Sequence, residues 1–166
     1  MLTYKTKGDL EQLVRDWTSG TLITMDGLGI PLGLWKKLYK GTRPRAWTRL
    51  KDQWTKFKFI VGGFKSFENA EEFWTAMSLA PTTLESKIVN FKKISNTLRG
   101  IRNERDNQDV ENAKRKYNDE EYEALFSYKK RGKLCILTKV QDIARRYRGR
   151  NGEVVYWDEE ETDEEE

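Results

Sequence analysis

Trp17, Trp35 and Trp54 stand 18 and 19 residues apart, and each falls in its own stretch of helical periodicity. In residues 9–18, Leu10, Leu13, Val14 and Trp17 recur at the spacing of one apolar stripe, and Gly20 is placed to stop that helix. Thr21–Ile30 contains Gly27 and Gly29 and reads as a loop. Pro31 suits a first helical turn; Leu34, Trp35 and Leu38 predict a short second helix ending near Gly41. After "GTRPR" a third helix begins. Trp47, Leu50, Trp54, Phe57 and Val61 form its stripe, and Gly62-Gly63 is expected to end it.

The stretch from Trp35 to Phe59 adds an electrostatic constraint. It carries three Trp and nine Lys or Arg against a single acid, Asp52. On the third helix the stripe faces a core, which leaves Arg49, Lys51, Asp52, Lys56 and Gln53 for the remaining arc. The charge of the whole chain is divided in the same spirit. The net charge is +4, yet residues 151–166 hold nine acids and no base, leaving 31 basic against 18 acidic residues in 1–150. A body of about +13 with an acidic tail points to a polyanionic partner, for which the tail is a potential competitor.

Other chemistries are narrowed by what the chain lacks. It has no His and one Cys, Cys135. Cys/His zinc sites, Ser-His and Cys-His nucleophiles and an intrachain disulfide are therefore excluded. There is no G-x-x-x-x-G-K-[ST] phosphate loop, and Glu71/Glu72 and Glu120/Glu121 are neighbours that diverge on a helix. No apolar run approaches the roughly 18–20 residues of a membrane span. The expectation is a soluble intracellular protein that is not an enzyme and holds no metal and no cofactor.

The tryptophan recurrence resembles the Myb/SANT repeat, in which three aromatics at this spacing stack in the core of a three-helix unit. "RAWTRLKDQW", Arg45 to Trp54, is similar to the family's third helix, with Arg45, Leu50, Lys51 and Trp54 at matching positions; "LWKKLYKG" is similar to its second. The long Gly-rich loop between the first two helices departs from the pattern, as does Gln53 in place of an Arg. The extension "TKFKFIV" and the following "EEFW" look more like the trihelix or Myb/SANT-like branch. The resemblance covers about residues 8–78.

This resemblance implies a helix-turn-helix variant that docks its third helix in the major groove of double-stranded DNA. By the family's pattern Lys51 and Asp52 read bases, with Lys56 and Gln53 as further base-contacting candidates. Lys36, Lys37, Arg43, Arg45, Arg49 and Lys58 are placed for phosphates. For Asp52 an i,i+4 pair with Lys56 is an equal alternative. SANT relatives that bind histone tails tend to carry an acidic third helix, and this one is basic.

Beyond the third helix, Ser66 is an N-cap candidate for a fourth, with Ala70, Phe73, Trp74 and Met77 on its apolar side. "APTT" breaks the chain. Leu84, Ile88, Val89, Phe91, Ile94, Leu98 and Ile101 predict a fifth helix, packed on the core or on a partner. "RNERDNQD" reads as a solvated helical extension or a linker. Helix is expected across 110–131 with Tyr117, Leu125 and Phe126 as contacts, then a buried strand "KLCIL". Thr138 and Gln141 have capping-box spacing before a last helix carrying Val140, Ile143 and Tyr147. There Arg145, Arg146, Arg148 and Arg150 are candidate phosphate contacts, and "KRGK" (130–133) fits a nuclear import signal. "EVVYW" reads as a short strand, and "DEEETDEEE" as disordered; the tail has three readings, a DNA mimic, a partner-docking peptide or a solubilising segment.

The expected organisation is therefore mainly α: a Myb/SANT-like domain with a fourth helix (1–80), a connecting helix (81–108), a small α(+β) unit (109–157) and an acidic tail (158–166). The expected function is that of a nuclear DNA-binding protein, a transcription regulator or the DNA-engaging subunit of a chromatin or DNA-modifying complex. It would use a protein partner or self-association through helix 84–101 or the C-terminal unit. The alternative is a non-catalytic interaction subunit whose basic surface binds an acidic protein.

Overall fold

The computed structural model describes residues 4, 7–79 and 91–153. The expectations for "APTT", Leu84, Ile88 and Val89, for a strand beyond Glu153 and for the acidic tail lie outside those residues. The described chain is mainly helical, with seven α-helices and two small antiparallel hairpins. It divides into two compact units, Met1–Leu98 and Arg99–Glu166.

The first unit starts with α1 (Lys7–Ser19), whose Leu10 and Leu13 are fully buried. The segment expected to be a loop is a hairpin, β1 (Thr24–Met25) and β2 (Leu28–Gly29), in register Thr24↔Gly29 and Met25↔Leu28. Asp26 and Gly27 both take left-handed backbone, φ 53° and 78°, which is the two-residue turn that an Asp-Gly pair favours. Its base lies backbone against backbone on the end of α1. A Cβ on Gly29 would stand 1.9 Å from the Gly20 carbonyl oxygen, so no side chain fits there.

A 3-10 turn, Leu32–Leu34, leads into α2 (Trp35–Thr42). The core residue of this turn is Leu32, fully buried, while Leu34 is exposed; the apolar periodicity places the wrong leucine inside because the turn is tighter than an α-helix. Pro44 opens α3 (Pro44–Lys65) at its first position, where a missing N–H costs nothing. The helix does not end at Gly62-Gly63. Gly63 packs on Leu98, with only 2.5 Å between its ideal Cβ position and Leu98 Cδ1. The glycine therefore permits a close helix approach instead of stopping the chain.

Trp54 sits at the centre of this unit. Its ring lies 5.3 Å from that of Trp17 and 5.4 Å from that of Trp47, and its indole N–H donates to the Leu32 carbonyl at 2.8 Å. Trp35 is buried beside Tyr39, 5.6 Å between centroids. Around them Phe57, Ile60 and Val61 of α3 are buried. Ser66 terminates α3 and is not the cap of α4 (Ala70–Leu79). Asn69 Oδ1 accepts from the Glu72 N–H at 2.8 Å instead, since it stands immediately before the helix. Phe73, fully buried, packs against Phe64 and Phe67.

Among the described residues of the first unit one acid, Asp16, is buried. Asp16 accepts from Thr21 Oγ1, from Tyr4 Oη at 2.5 Å and from Gln12 Nε2 at 2.8 Å. Burial pushes its carboxyl up, but the hydrogen bonds from Thr21, Tyr4 and Gln12 and the charge of Arg15 outweigh it, and the net direction is down. The Tyr4 hydroxyl is raised by burial, by its bond to Asp16 and by the nearby negative charges.

The helix α5 (Phe91–Lys116) runs without interruption through "RNERDNQD", and the division between the two units falls within it. In the second unit the helix expected across 110–131 is broken after Lys116. Asn118 forms a capping box with Glu121 and starts α6 (Asp119–Leu125), and the chain then turns into β3 (Ser127–Lys130) and β4 (Lys133–Ile136). The strand expected to be buried is on the surface, with Leu134 68% exposed, because β3 is its single neighbour. The last helix, α7 (Val140–Arg150), is preceded by Lys139 and has no side-chain cap. The Thr138–Gln141 box is therefore not formed, and Val140 is exposed. Val110, Ala113, Phe126, Ile143, Ala144 and Tyr147 form the core.

Two predictions test this packing. Trp54→Ala removes a buried aromatic that joins α1, the 3-10 turn and α3; it is expected to cost about 3–5 kcal/mol in denaturant unfolding, and an unchanged midpoint would contradict the core. For Asp16 the folded pKa lies below the ordinary 3.8, so its contribution is complete above that value and is lost as pH falls through the lowered one. Asp16→Asn should flatten this acid limb of the stability profile. A variant whose acid limb is as steep as the natural protein's would remove Asp16 from that role.

Candidate nucleic-acid interface

The third helix is divided along its length. From residue 57 to residue 64 every side chain is buried or half-buried. In the first three turns Trp47 and Trp54 point inward, Leu50 and Gln53 are half-buried, and Arg45, Thr48, Arg49, Lys51, Asp52, Thr55 and Lys56 are exposed. Arg45, Arg49, Asp52 and Lys56 follow one another at spacings of four, three and four and therefore form one line, about 17 Å long at 1.5 Å per residue. Thr48, Lys51 and Thr55 form a second line beside it. The sequence reading missed Thr48 and Thr55; their spacing of three and four from Lys51 is the signal that places them. Among the described residues Asp52 and Lys56 form no ion pair.

The flanking cations sit as follows. Arg43, the residue before α3, is exposed, and no side chain caps the helix start. Lys37 is exposed and Lys36 half-buried on α2, and Lys58 is half-buried further along α3. Apart from Lys65 at its end, the exposed cations of α3 lie between Arg45 and Lys56, and the N-terminal part of a recognition helix is what meets base edges in helix-turn-helix proteins. A helix of 10–12 Å diameter with such a face fits a major groove about 12 Å wide.

The four arginines of α7 are not equivalent. Arg148 is 3% exposed, and its Nη1 donates to Asp106 Oδ1 at 3.0 Å and to Asp109 Oδ2 at 2.7 Å. Asp106 is itself buried and also accepts from Arg105 Nη2 at 2.7 Å. Arg148 is therefore an internal ion and does not meet phosphate as expected; it shares the inner face of α7 with Ala144 and Tyr147. Arg146 is half-buried and donates to the carbonyls of Leu125 at 3.1 Å and Ser127 at 2.5 Å. Its task is to hold the start of β3. Arg145 is half-buried and Arg150 exposed. What the sequence shows of this network is the pair Asp106 and Asp109, three apart and in step with Val110 and Ala113.

Among the described residues no group of His, Cys, Asp or Glu could hold a metal ion, and no helix is long and apolar enough to cross a membrane. No protein-family model, curated protein or solved structure matches the chain.

Removing Arg148 takes the shared cation from Asp106 and Asp109, leaving the buried Asp106 to Arg105. Arg148→Ala is expected to lower stability by about 3–5 kcal/mol. Arg49→Ala and Lys51→Ala, on the exposed arc, should change it by no more than about 0.5 kcal/mol. Thermal or urea unfolding of the three variants distinguishes internal from surface cations. Equal, small effects would contradict the placement of Arg148.

Proposed function

We propose that this chain is a nuclear, double-stranded-DNA-binding protein of the Myb/SANT-like type, which lays the first three turns of α3 in the major groove. One observation carries the reading. On those turns the aromatic face is buried, and the exposed arc presents Arg45, Arg49 and Lys56 on one line and Lys51 on the line beside it, with a single acid, Asp52. The buried second half of α3 fixes the helix in the core, so the exposed half is held rigid when it meets DNA. Lys51 donates to guanine O6 or N7 and Asp52 accepts from cytosine N4. Arg43, Arg45 and Lys37 neutralise phosphates and set the register without reading sequence. Such a protein serves as a transcription regulator or as the DNA-engaging subunit of a larger chromatin or DNA-modifying complex.

A second reading, a non-catalytic interaction subunit, is favoured by a different observation. Leu22, Met25, Leu28 and Leu34, in and beside the β1–β2 hairpin, are all exposed, Leu28 by 75%. Contiguous exposed apolar surface is a mark of protein contacts, and Met25 and Leu28 are cross-strand partners here.

Selection of duplexes from a random library by the full chain, with affinity followed against salt, separates the two. The DNA reading predicts an enriched motif and a steep fall of affinity with salt. It further predicts that Lys51→Ala costs about 1–3 kcal/mol on the preferred site and relaxes specificity at one position. Unchanged site preference in that variant removes Lys51 as a reader. Absence of duplex binding at low salt overturns the DNA reading and leaves the interaction subunit.

A further inference from the structure

The β3–β4 hairpin has a second concentration of positive charge. Its strands pair in the register Ser127↔Ile136, Tyr128↔Cys135, Lys129↔Leu134 and Lys130↔Lys133. The two-residue turn is Arg131-Gly132, with φ 50° and 78°, so three cations crowd the tip. Lys129, Lys130, Arg131 and Lys133 are all exposed, and neither strand carries an acid. Among the described residues none of the four is in an ion pair.

This arrangement costs the free protein something. Cross-strand neighbours stand about 4.5–5.5 Å apart, and like charges placed directly opposite one another weaken a hairpin. Lys130 and Lys133 are such a pair, and Arg131 adds a third charge between them. The base of the hairpin is nonetheless firmly held. Phe126 is fully buried, the Leu137 N–H donates to the Phe126 carbonyl at 2.7 Å, and Arg146 binds the carbonyls of Leu125 and Ser127. A fixed base and a mutually repelling cationic tip suit a ligand of dense, regularly spaced negative charge.

We propose that the β3–β4 hairpin is a second contact to duplex DNA, one that grips the phosphate backbone without reading sequence. The proposal rests on the DNA-binding reading of α3. Double-stranded DNA carries one negative charge per roughly 1.7 Å of axis, and its phosphates relieve the repulsion among Lys130, Arg131 and Lys133. The tip presents Lys130, Arg131 and Lys133 close together at a turn, a cluster of cations suited to phosphates, whose contacts give affinity and register. The run "KRGK" that fits an import signal is, in the fold, this turn.

The test uses the full chain and a labelled mixed-sequence duplex, with binding followed from about 50 to 200 mM salt. The variant combines Lys130→Gln, Arg131→Asn and Lys133→Gln. Asn-Gly is the pair most favoured in a turn of this type, so the hairpin is retained, and the single variant Lys130→Gln serves as a check that loss of fold is not the cause. The triple variant should flatten the slope of log affinity against log salt by about 2–3, at about 0.9 per lost phosphate contact. Lys130→Gln alone should flatten it by about 0.9. The motif preferred by α3 should be unchanged.

A slope equal to that of the natural chain overturns the proposal while leaving α3 as the reader. Arg49→Ala with Lys51→Ala separates the two contacts. If that pair leaves binding intact and the hairpin variant flattens the slope, the hairpin stands and the α3 reading fails. A hairpin variant that weakens binding to a single-stranded oligonucleotide but leaves the duplex slope unaltered also overturns the duplex assignment. So does a natural chain that binds no duplex at low salt.

Discussion

The first unit depends on one side chain, Trp54. Its ring contacts Trp17 of α1 and Trp47 of its own helix, and its N–H closes on the Leu32 carbonyl. A buried indole must satisfy that donor, which fixes the 3-10 turn relative to α3. The close fit of Gly20 against Gly29 then brings the hairpin back onto α1. Once Trp54 and Trp47 face inward, geometry leaves Arg45, Arg49, Lys51 and Lys56 facing water. The aromatics and the charges of this segment are thus two sides of one helix, and the burial of the first makes the second a rigid, basic surface.

The second unit solves its packing differently. Its core is small, and the buried Arg148 is held by Asp106 and Asp109 from α5. A buried ion pair is weak evidence for added stability, since desolvation offsets most of its attraction. Its consequence here is geometric, because it fixes the register between α5 and α7. Arg146 in the same way directs its hydrogen bonds to backbone carbonyls, so of the α7 arginines Arg150 is the exposed one, while Lys129, Lys130, Arg131 and Lys133 of the hairpin are all exposed.

Much of the first unit was legible in the sequence because periodicity reports burial, and Leu10, Leu13, Trp47, Trp54, Phe57 and Val61 all lie at helical spacing. The failures have physical causes. Both hairpins are written in turn chemistry, Asp26-Gly27 and Arg131-Gly132, which a search for apolar stripes passes over. Gly62-Gly63 reads as a stop, yet Gly63 is required where Leu98 approaches. Ser66 and Thr138 have capping chemistry, but Asn69 is the cap of α4 and α7 has no side-chain cap. The run "RNERDNQD" looks solvated because a pattern of hydropathy counts Asp106 as polar, whereas a partner on another helix decides whether it is buried. At the candidate interface the cations of α3 were legible as the outer arc of an amphipathic helix. The fate of Arg146 and Arg148 was not, since it depends on which residues of α5, α6 and β3 stand opposite.

The central claim is that the first three turns of α3 are the DNA-reading surface. The most direct measurement is amide chemical-shift perturbation in the full chain on titration with a duplex carrying its selected site. The account predicts the largest shifts between Arg43 and Lys56, with those of the buried stretch from Phe57 to Phe64 much smaller. Shifts centred on the β1–β2 hairpin, or none on α3, would contradict it.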